Sequence, residues 1–317
     1  MKRILERLSF NTRWVRWAGT ILSMGLFAWL LMQQDWRKVW SALHQVPLWL
    51  FPLTFGLYFC GVLANALRWY VLLRAQDVDL AYTETLKIVL SGNFASNFLP
   101  STVGGDTVRI VSASRFAGWT VGIASVVVDR LLNVFVMAVL LPFSWFTFAG
   151  TLPLIRGSSS GFLAGSIFPA WAEKFWHKII KLPKKVIAAF LVWRQHLDAV
   201  LYAVIISFAA RFCVFLAIWF MASALEMSVT FGQVVGVGAI TYVLSLLPIS
   251  INGFGLREIT MTALYAQLGA SLEQASALVV VTRFILMLET LPGALWISDM
   301  LVAVEEDDDF ELKNEVL

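Results

Sequence analysis

The segment Leu99-Pro100-Ser101-Thr102-Val103-Gly104-Gly105-Asp106-Thr107-Val108-Arg109 decides the fold, because it recurs. The second copy reads Leu247-Pro248-Ile249-Ser250-Ile251-Asn252-Gly253-Phe254-Gly255-Leu256-Arg257. Leu-Pro, the turn glycine (Gly105 or Gly253) and the Arg keep register, 148 residues apart. A further echo follows each copy: Val126-Val127-Val128-Asp129-Arg130 matches Val279-Val280-Val281-Thr282-Arg283, now 153 residues apart. Two matches in the same order indicate an internal duplication, with half one at about 48–143 and half two at about 198–300.

Each copy follows an apolar run, roughly 84–99 and 231–248. Pro100 and Pro248 remove a backbone donor and disfavour helix at the residue before them. Gly104 and Gly105, or Gly253 and Gly255, then permit a tight turn. An apolar helical segment resumes after the Arg. Helix, turn and helix in about 35 residues are too short to cross a bilayer twice at about 1.5 Å per residue. The pattern predicts two re-entrant helical hairpins, about 84–118 and 231–270, with tips near mid-membrane. Irregular backbone survives at that depth only inside protein or against a wet cavity.

The rest of the chain fits this setting. Of 317 residues, 59% are hydrophobic and 14% charged, against about a quarter charged in a soluble domain. Mean hydropathy is +0.76. The 14 Trp sit mostly near the ends of apolar runs, where bilayer interfaces favour them. Spans of about the 20 residues a bilayer core requires are expected near 17–33, 48–73, 120–143, 198–222 and 275–300, with a further one at 152–172 despite Arg156 and the Gly157–Gly161 run. The fold class is therefore all-α, a polytopic membrane protein of about six spanning helices plus two oppositely oriented hairpins, forming one domain over 1–317. No small-residue cleavage site follows the first span, so it is not a signal peptide. Cys60 and Cys213 lie in apolar runs and are expected to be buried; no zinc or disulfide spacing exists.

Orientation follows the basic residues. Lys2, Arg3, Arg7, Arg13 and Arg16 place the N-terminus in the cytoplasm, and the count of crossings returns the C-terminus there. The segment 173–197 carries Lys174, Lys178, Lys181, Lys184, Lys185 and Arg194 among apolar residues. It reads either as a helix on the anionic inner leaflet or as a plain basic loop. The acidic tail 304–317 is expected to be a solvated end. On this count one hairpin enters from each face, the inverted-repeat plan in which substrates bind at the repeat interface.

An Arg in the bilayer interior costs at least about 2.5 kcal/mol, yet Arg68, Arg109, Arg130, Arg211, Arg257 and Arg283 all fall in or beside apolar segments. Asp106, Asp129, Glu258 and Glu289 accompany them. Asp106 and Arg109 are three apart and would share a helix face. Asp129 with Arg130 either lock helices together or serve a site, and the same alternatives hold for Arg211, which could also snorkel. Arg109 and Arg257 recur beside the same turn, where free N–H groups at a helix start also favour anions. They are the candidate head-group ligands, with Arg130, Arg283, Asp106 and Glu258 supporting. Asn97 and Asn252 either orient a head group or cap the turn.

Asn97 through Arg109, Asp129-Arg130 and Leu247 through Glu258 resemble the family named for the transmembrane region of lysylphosphatidylglycerol synthase, over about residues 17–300. The resemblance implies a flippase-like module that moves lipid between leaflets of the plasma membrane. The synthase's soluble aminoacyl-transferase domain has no counterpart before Leu317, so lipid synthesis is not expected. The expected activity is translocation of an anionic phospholipid or lipid-linked glycan, with membrane lipid as partner. A non-transporting partner of a glycosyltransferase and a lipid-modifying enzyme are the competing readings. No cofactor, metal cluster or phosphate-cradling loop is present in the sequence, and nucleic-acid binding is not expected.

Overall fold

The computed structural model describes residues 46–98, 104–149, 195–246 and 255–297, with Trp40, His44 and Trp193. Among them every regular element is helical: α1 (Leu50–Arg74), α2 (Tyr82–Phe98), α3 (Gly104–Ala149), α4 (Leu197–Ala224), α5 (Phe231–Ser245), α6 (Leu256–Gln267), α7 (Leu272–Thr290) and a closing 3₁₀ turn, Leu291–Leu295. The expected spans at 17–33 and 152–172, the tail 304–317 and nearly all of 173–197 lie outside the described residues. Trp193, near the end of the last of these, is buried and donates from its indole N–H to the Leu72 carbonyl at 2.9 Å.

Four helices are long and apolar enough to cross a membrane: Leu50–Arg74, Gly105–Ser144, Leu197–Ala224 and Leu272–Leu295. Their outer faces carry bare apolar side chains, among them Phe135, Val139, Leu201, Ile205, Phe212 and Phe284. A water-soluble protein rarely exposes such contiguous surface, whereas lipid accepts it without cost. Cys60 is exposed on such a face and Cys213 is intermediate. The expected burial of Cys60 is thus corrected, because an apolar run in a spanning helix presents half its residues to lipid rather than to protein. The last span also ends earlier than 300 in α-form. Pro292 and Gly293 close it as the 3₁₀ turn, since Pro lacks the N–H that would continue the ladder.

Helix starts are set locally. Thr230 and Gln233 form a capping box before α5, and Ser271 and Gln274 form another before α7. Two orphan N–H groups are satisfied at each. The α1–α2 and α4–α5 loops share one backbone pattern. Val78 N–H donates to Leu73 C=O and Leu80 N–H to Val78 C=O; Met227 donates to Ala222 and Val229 to Met227, each 149 residues further on. Asp77 and Glu226 take φ of 56° and 57° at matching positions. The helices these loops open, α2 and α5, are each followed in the chain by a second helix, α3 and α6.

Packing distributes the two units, α2 with α3 and α5 with α6, along α1. Val78, Leu80, Ile88, Val89 and Ala113 cluster with Trp69 and Leu73 at the C-terminal end of α1. Val229, Val234, Val235, Met261 and Tyr265 belong to a cluster with Val46, Leu50 and Tyr58 at its N-terminal end. The first unit closes through glycine. A Cβ on Gly105 would overlap Ser96 Oγ and the Gly92 carbonyl, so the two backbones touch there. Gly105→Ala is expected to destabilise the protein by about 3 kcal/mol, the upper range for overpacking. Gly56→Ala, where a Cβ meets nothing within 4 Å, should be silent. Thermal unfolding in detergent separates the two.

Candidate functional site

The interior charges begin with Arg68, in the C-terminal third of the apolar α1. Its side chain is 2% exposed, and a bare guanidinium there would be untenable. Its Nε donates to Asp129 Oδ1 at 2.7 Å, and its Nη1 donates to Asn133 Oδ1 at 3.0 Å and to Ser207 Oγ at 3.1 Å. Asp129 accepts a second cation through Oδ2, from Arg109 Nη2 at 3.0 Å. Arg109 also stacks on the Trp69 ring, 4.4 Å from its centroid, a cation–π contact strengthened by desolvation. Asn133 Oδ1 takes a further donor, Arg211 Nη2, at 2.9 Å. One carboxylate and one amide thus join α1, both parts of α3, and α4.

The pairing differs from the expectation based on spacing. Asp106 does not serve Arg109; it pairs with Arg130, and Arg109 pairs with Asp129. Nor are Asp129 and Arg130 a pair. The cause is Gly118, with φ 73° and ψ 161°, which breaks α3 into two helices. The parts fold back on each other, so that a Cβ on Gly122 would lie 3.1 Å from the Ile110 carbonyl. Residues twenty apart then meet, while neighbours three apart are claimed by other partners. Arg211 does not snorkel to an interface either: its Nη2 is engaged inward, and it lies over the Tyr242 ring at 5.6 Å.

These groups surround a polar cavity of about 330 Å³. Arg109, Arg130, Arg211, Arg257 and Arg283 line it, together with Asp106, Asp129 and Glu289. Asn97 and Gly105 also line it. Asn97 Nδ2 reaches Thr290 Oγ1 at 3.4 Å, linking the end of α2 to the end of α7. Glu258 is buried and lies 3.6 Å from Arg283 Nε. Gly104 opens α3, and Gly255 caps α6 with φ 78°. Pro100, Pro248, Asn252 and Gly253 lie outside the described residues.

The two halves are electrically unequal. In half one Arg109 has Asp129 as its counter-ion. At the matching position of half two stands Thr282, whose hydroxyl donates to its own helix at the Leu278 carbonyl, 2.8 Å away. Among the described residues no carboxylate lies within ion-pair distance of Arg257 or Arg211. Glu289 shares the cavity with Arg257 and acts on it at longer range. Its Oε2 is buried without a hydrogen-bond partner, as are Tyr58 Oη and Asn65 Oδ1.

A family model described as "Lysylphosphatidylglycerol synthase TM region" matches residues 16–293. The chain belongs to the lysylphosphatidylglycerol synthase transmembrane-region family. No curated protein and no solved structure gives a significant match. In this member the cavity gathers Arg109, Arg130, Arg257, Arg283, Asp106 and Asn97 of the residues singled out from sequence, and Glu258 stands behind Arg283. Sequence reasoning missed Arg68, Asn133, Glu289 and Tyr58 as site residues. Asn133, four residues after Asp129, had a legible signal in helical spacing, and Arg68 one in its isolation within an apolar run. Tyr58 had none.

Proposed function

We propose that this family member translocates an anionic phospholipid, or a glycan linked to lipid through phosphate, between leaflets of the plasma membrane. The observation that carries the proposal is the pair Arg211 and Arg257. Both face one polar cavity inside an apolar helix bundle, and neither has a carboxylate within ion-pair distance among the described residues. Cations so placed in a membrane protein pair with each other's counter-ions or mark a substrate path. A phosphate monoanion would supply the missing charge, through charge-assisted bonds.

On this reading the α2–α3 and α5–α6 units are re-entrant hairpins that enter from opposite faces, in a protein of about six spans with cytoplasmic termini. Their packing at opposite ends of α1 and the matching loops 149 residues apart support an inverted repeat. The cavity at the junction of the halves is where such repeats hold their substrates. Asp106, Asp129 and Glu258 are each engaged with a guanidinium, which favours a structural and binding role over acid–base catalysis.

Purified protein in vesicles tests the proposal. Reporter lipids are loaded in both leaflets, one set with fluorescent phosphatidylglycerol and another with a lipid-linked glycan phosphate. Quenching from outside should consume more of at least one reporter, and faster, than in protein-free vesicles, with fluorescent phosphatidylcholine lagging behind. Rates equal to protein-free vesicles for both anionic reporters would overturn it.

A further inference from the structure

Three openings in the bundle converge on one side chain. Arg211 lines the polar cavity, a narrow cavity of about 80 Å³ beside Met137 and Ile218, and a third space of about 370 Å³ between α3, α4 and α5. The third space differs in kind from the first. Leu140, Phe143, Phe208, Phe212, Phe215 and Phe231 form its walls, and Arg211 is its one charged residue. Phe212 and Phe143 are about half exposed, so the groove opens on the apolar outer face of the bundle. Arg211, whose buried Nε has no hydrogen-bond partner, also lines it.

We infer that this aromatic groove seats an acyl chain of the lipid whose phosphate occupies the polar cavity, with Arg211 at the joint between tail and head group. The inference rests on the proposed translocation and adds a second subsite to it. The occupant follows from the chemistry of the two ends. One end is open to hydrocarbon and lined with phenyl rings. The other is lined by Arg211, which also lines a cavity rich in guanidiniums. An anionic amphiphile matches both ends at once, and neither a free phosphate nor a neutral hydrocarbon does. An acyl chain gains little by exchanging bilayer for groove, because lipid tails are as apolar as the side chains they would leave. The groove therefore orients the lipid and leads its head group toward Arg211, and contributes little to the affinity of the head group itself.

Gly232, on the groove wall, supplies the test. A Cβ built there meets nothing within 4 Å, so Gly232→Trp adds bulk at the groove wall without displacing backbone. Gly232→Ala leaves the groove open and controls for the loss of glycine. Gly56→Trp, at an equally open site on α1, controls for added bulk. The probe is a phosphatidylglycerol carrying a diazirine midway along one acyl chain, in vesicles of phosphatidylglycerol and phosphatidylcholine, with adducts mapped by mass spectrometry. Adducts should concentrate on Phe208, Phe212 and Phe231, and fall about tenfold in Gly232→Trp but not in the two controls. Translocation should fall with them while the unfolding temperature holds.

Adducts spread evenly over the outer helix faces, or unchanged in Gly232→Trp, overturn the subsite. Normal translocation by Gly232→Trp removes the groove's role and leaves the proposed function standing. Groove-localised adducts in a wild-type protein that moves no lipid would sustain the subsite and defeat the transport reading.

Discussion

Asp129→Asn lowers the stability of the protein by about 3–5 kcal/mol, the cost of breaking a buried ion pair and leaving its partners uncompensated. The loss should be large because one carboxylate satisfies two guanidiniums, Arg68 at 2.7 Å and Arg109 at 3.0 Å. Arg68 is 2% exposed and has no route to water. An asparagine keeps the shape and one acceptor oxygen, so packing changes little and the effect isolates charge. The variant also turns an NH₂ group toward one of the two cations, which adds a clash of donors. Detergent-solubilised Asp129→Asn is expected to unfold at a markedly lower temperature than the wild type. Arg109→Ala should show part of the same loss, since it removes one of the two pairs and the stacking on Trp69. Wild-type unfolding by Asp129→Asn would show that the network is not structural.

Arg257→Gln should do the reverse, sparing the fold and weakening binding. No carboxylate pairs with Arg257 among the described residues, so the substitution breaks no ion pair. Removing an uncompensated interior cation relieves desolvation, and the unfolding temperature should stay level or rise. A hydrogen bond to a charged group contributes about 1.5–3 kcal/mol. Loss of one such bond to phosphate corresponds to about a 10- to 100-fold loss of affinity. Titrating short-chain phosphatidylglycerol into detergent-solubilised protein reads the affinity, and the vesicle assay reads the rate. Arg257→Lys retains the charge without the planar fork, so it should recover part of both. Wild-type affinity and rate in Arg257→Gln would remove Arg257 from the site and move the burden to Arg211.

The two variants separate roles that look equivalent in the primary structure. Arg109 and Arg257 stand beside the same turn in both copies of the repeat, and both were assigned to head-group contact. Arg109 is held by Asp129 and stacked on Trp69, so its charge is already compensated. Arg257 is not compensated in this way. The difference traces to one position, Asp129 in half one against Thr282 in half two. That contrast is visible when the copies are aligned, but its meaning is not, because nothing local says that Asp129 faces Arg109 twenty residues away.

Much of the fold was nevertheless legible. Apolar runs of bilayer length located α1, the second part of α3, α4 and α7, since hydrophobicity over about 20 residues is a local property. The capping boxes at Thr230 and Ser271 rest on equally local residue choices. The bend at Gly118 was not recognised, although a glycine within a helical stretch is the usual place for such a reversal. Without that bend, nothing in the spacing brings Asp106 to Arg130 or Arg109 to Asp129.

What the sequence by itself determined is which segments prefer lipid and where proline and glycine allow the chain to turn. These follow from side-chain hydrophobicity and from the backbone limits of proline and glycine, which need no distant partner. Only the tertiary structure decided which charges neutralise one another, and so which guanidiniums remain for a ligand. Coulomb energy in an apolar interior depends steeply on separations of a few ångströms. Those separations arise from helices brought together across the chain, as when α3 folds back at Gly118 and carries Asp129 between Arg68 and Arg109.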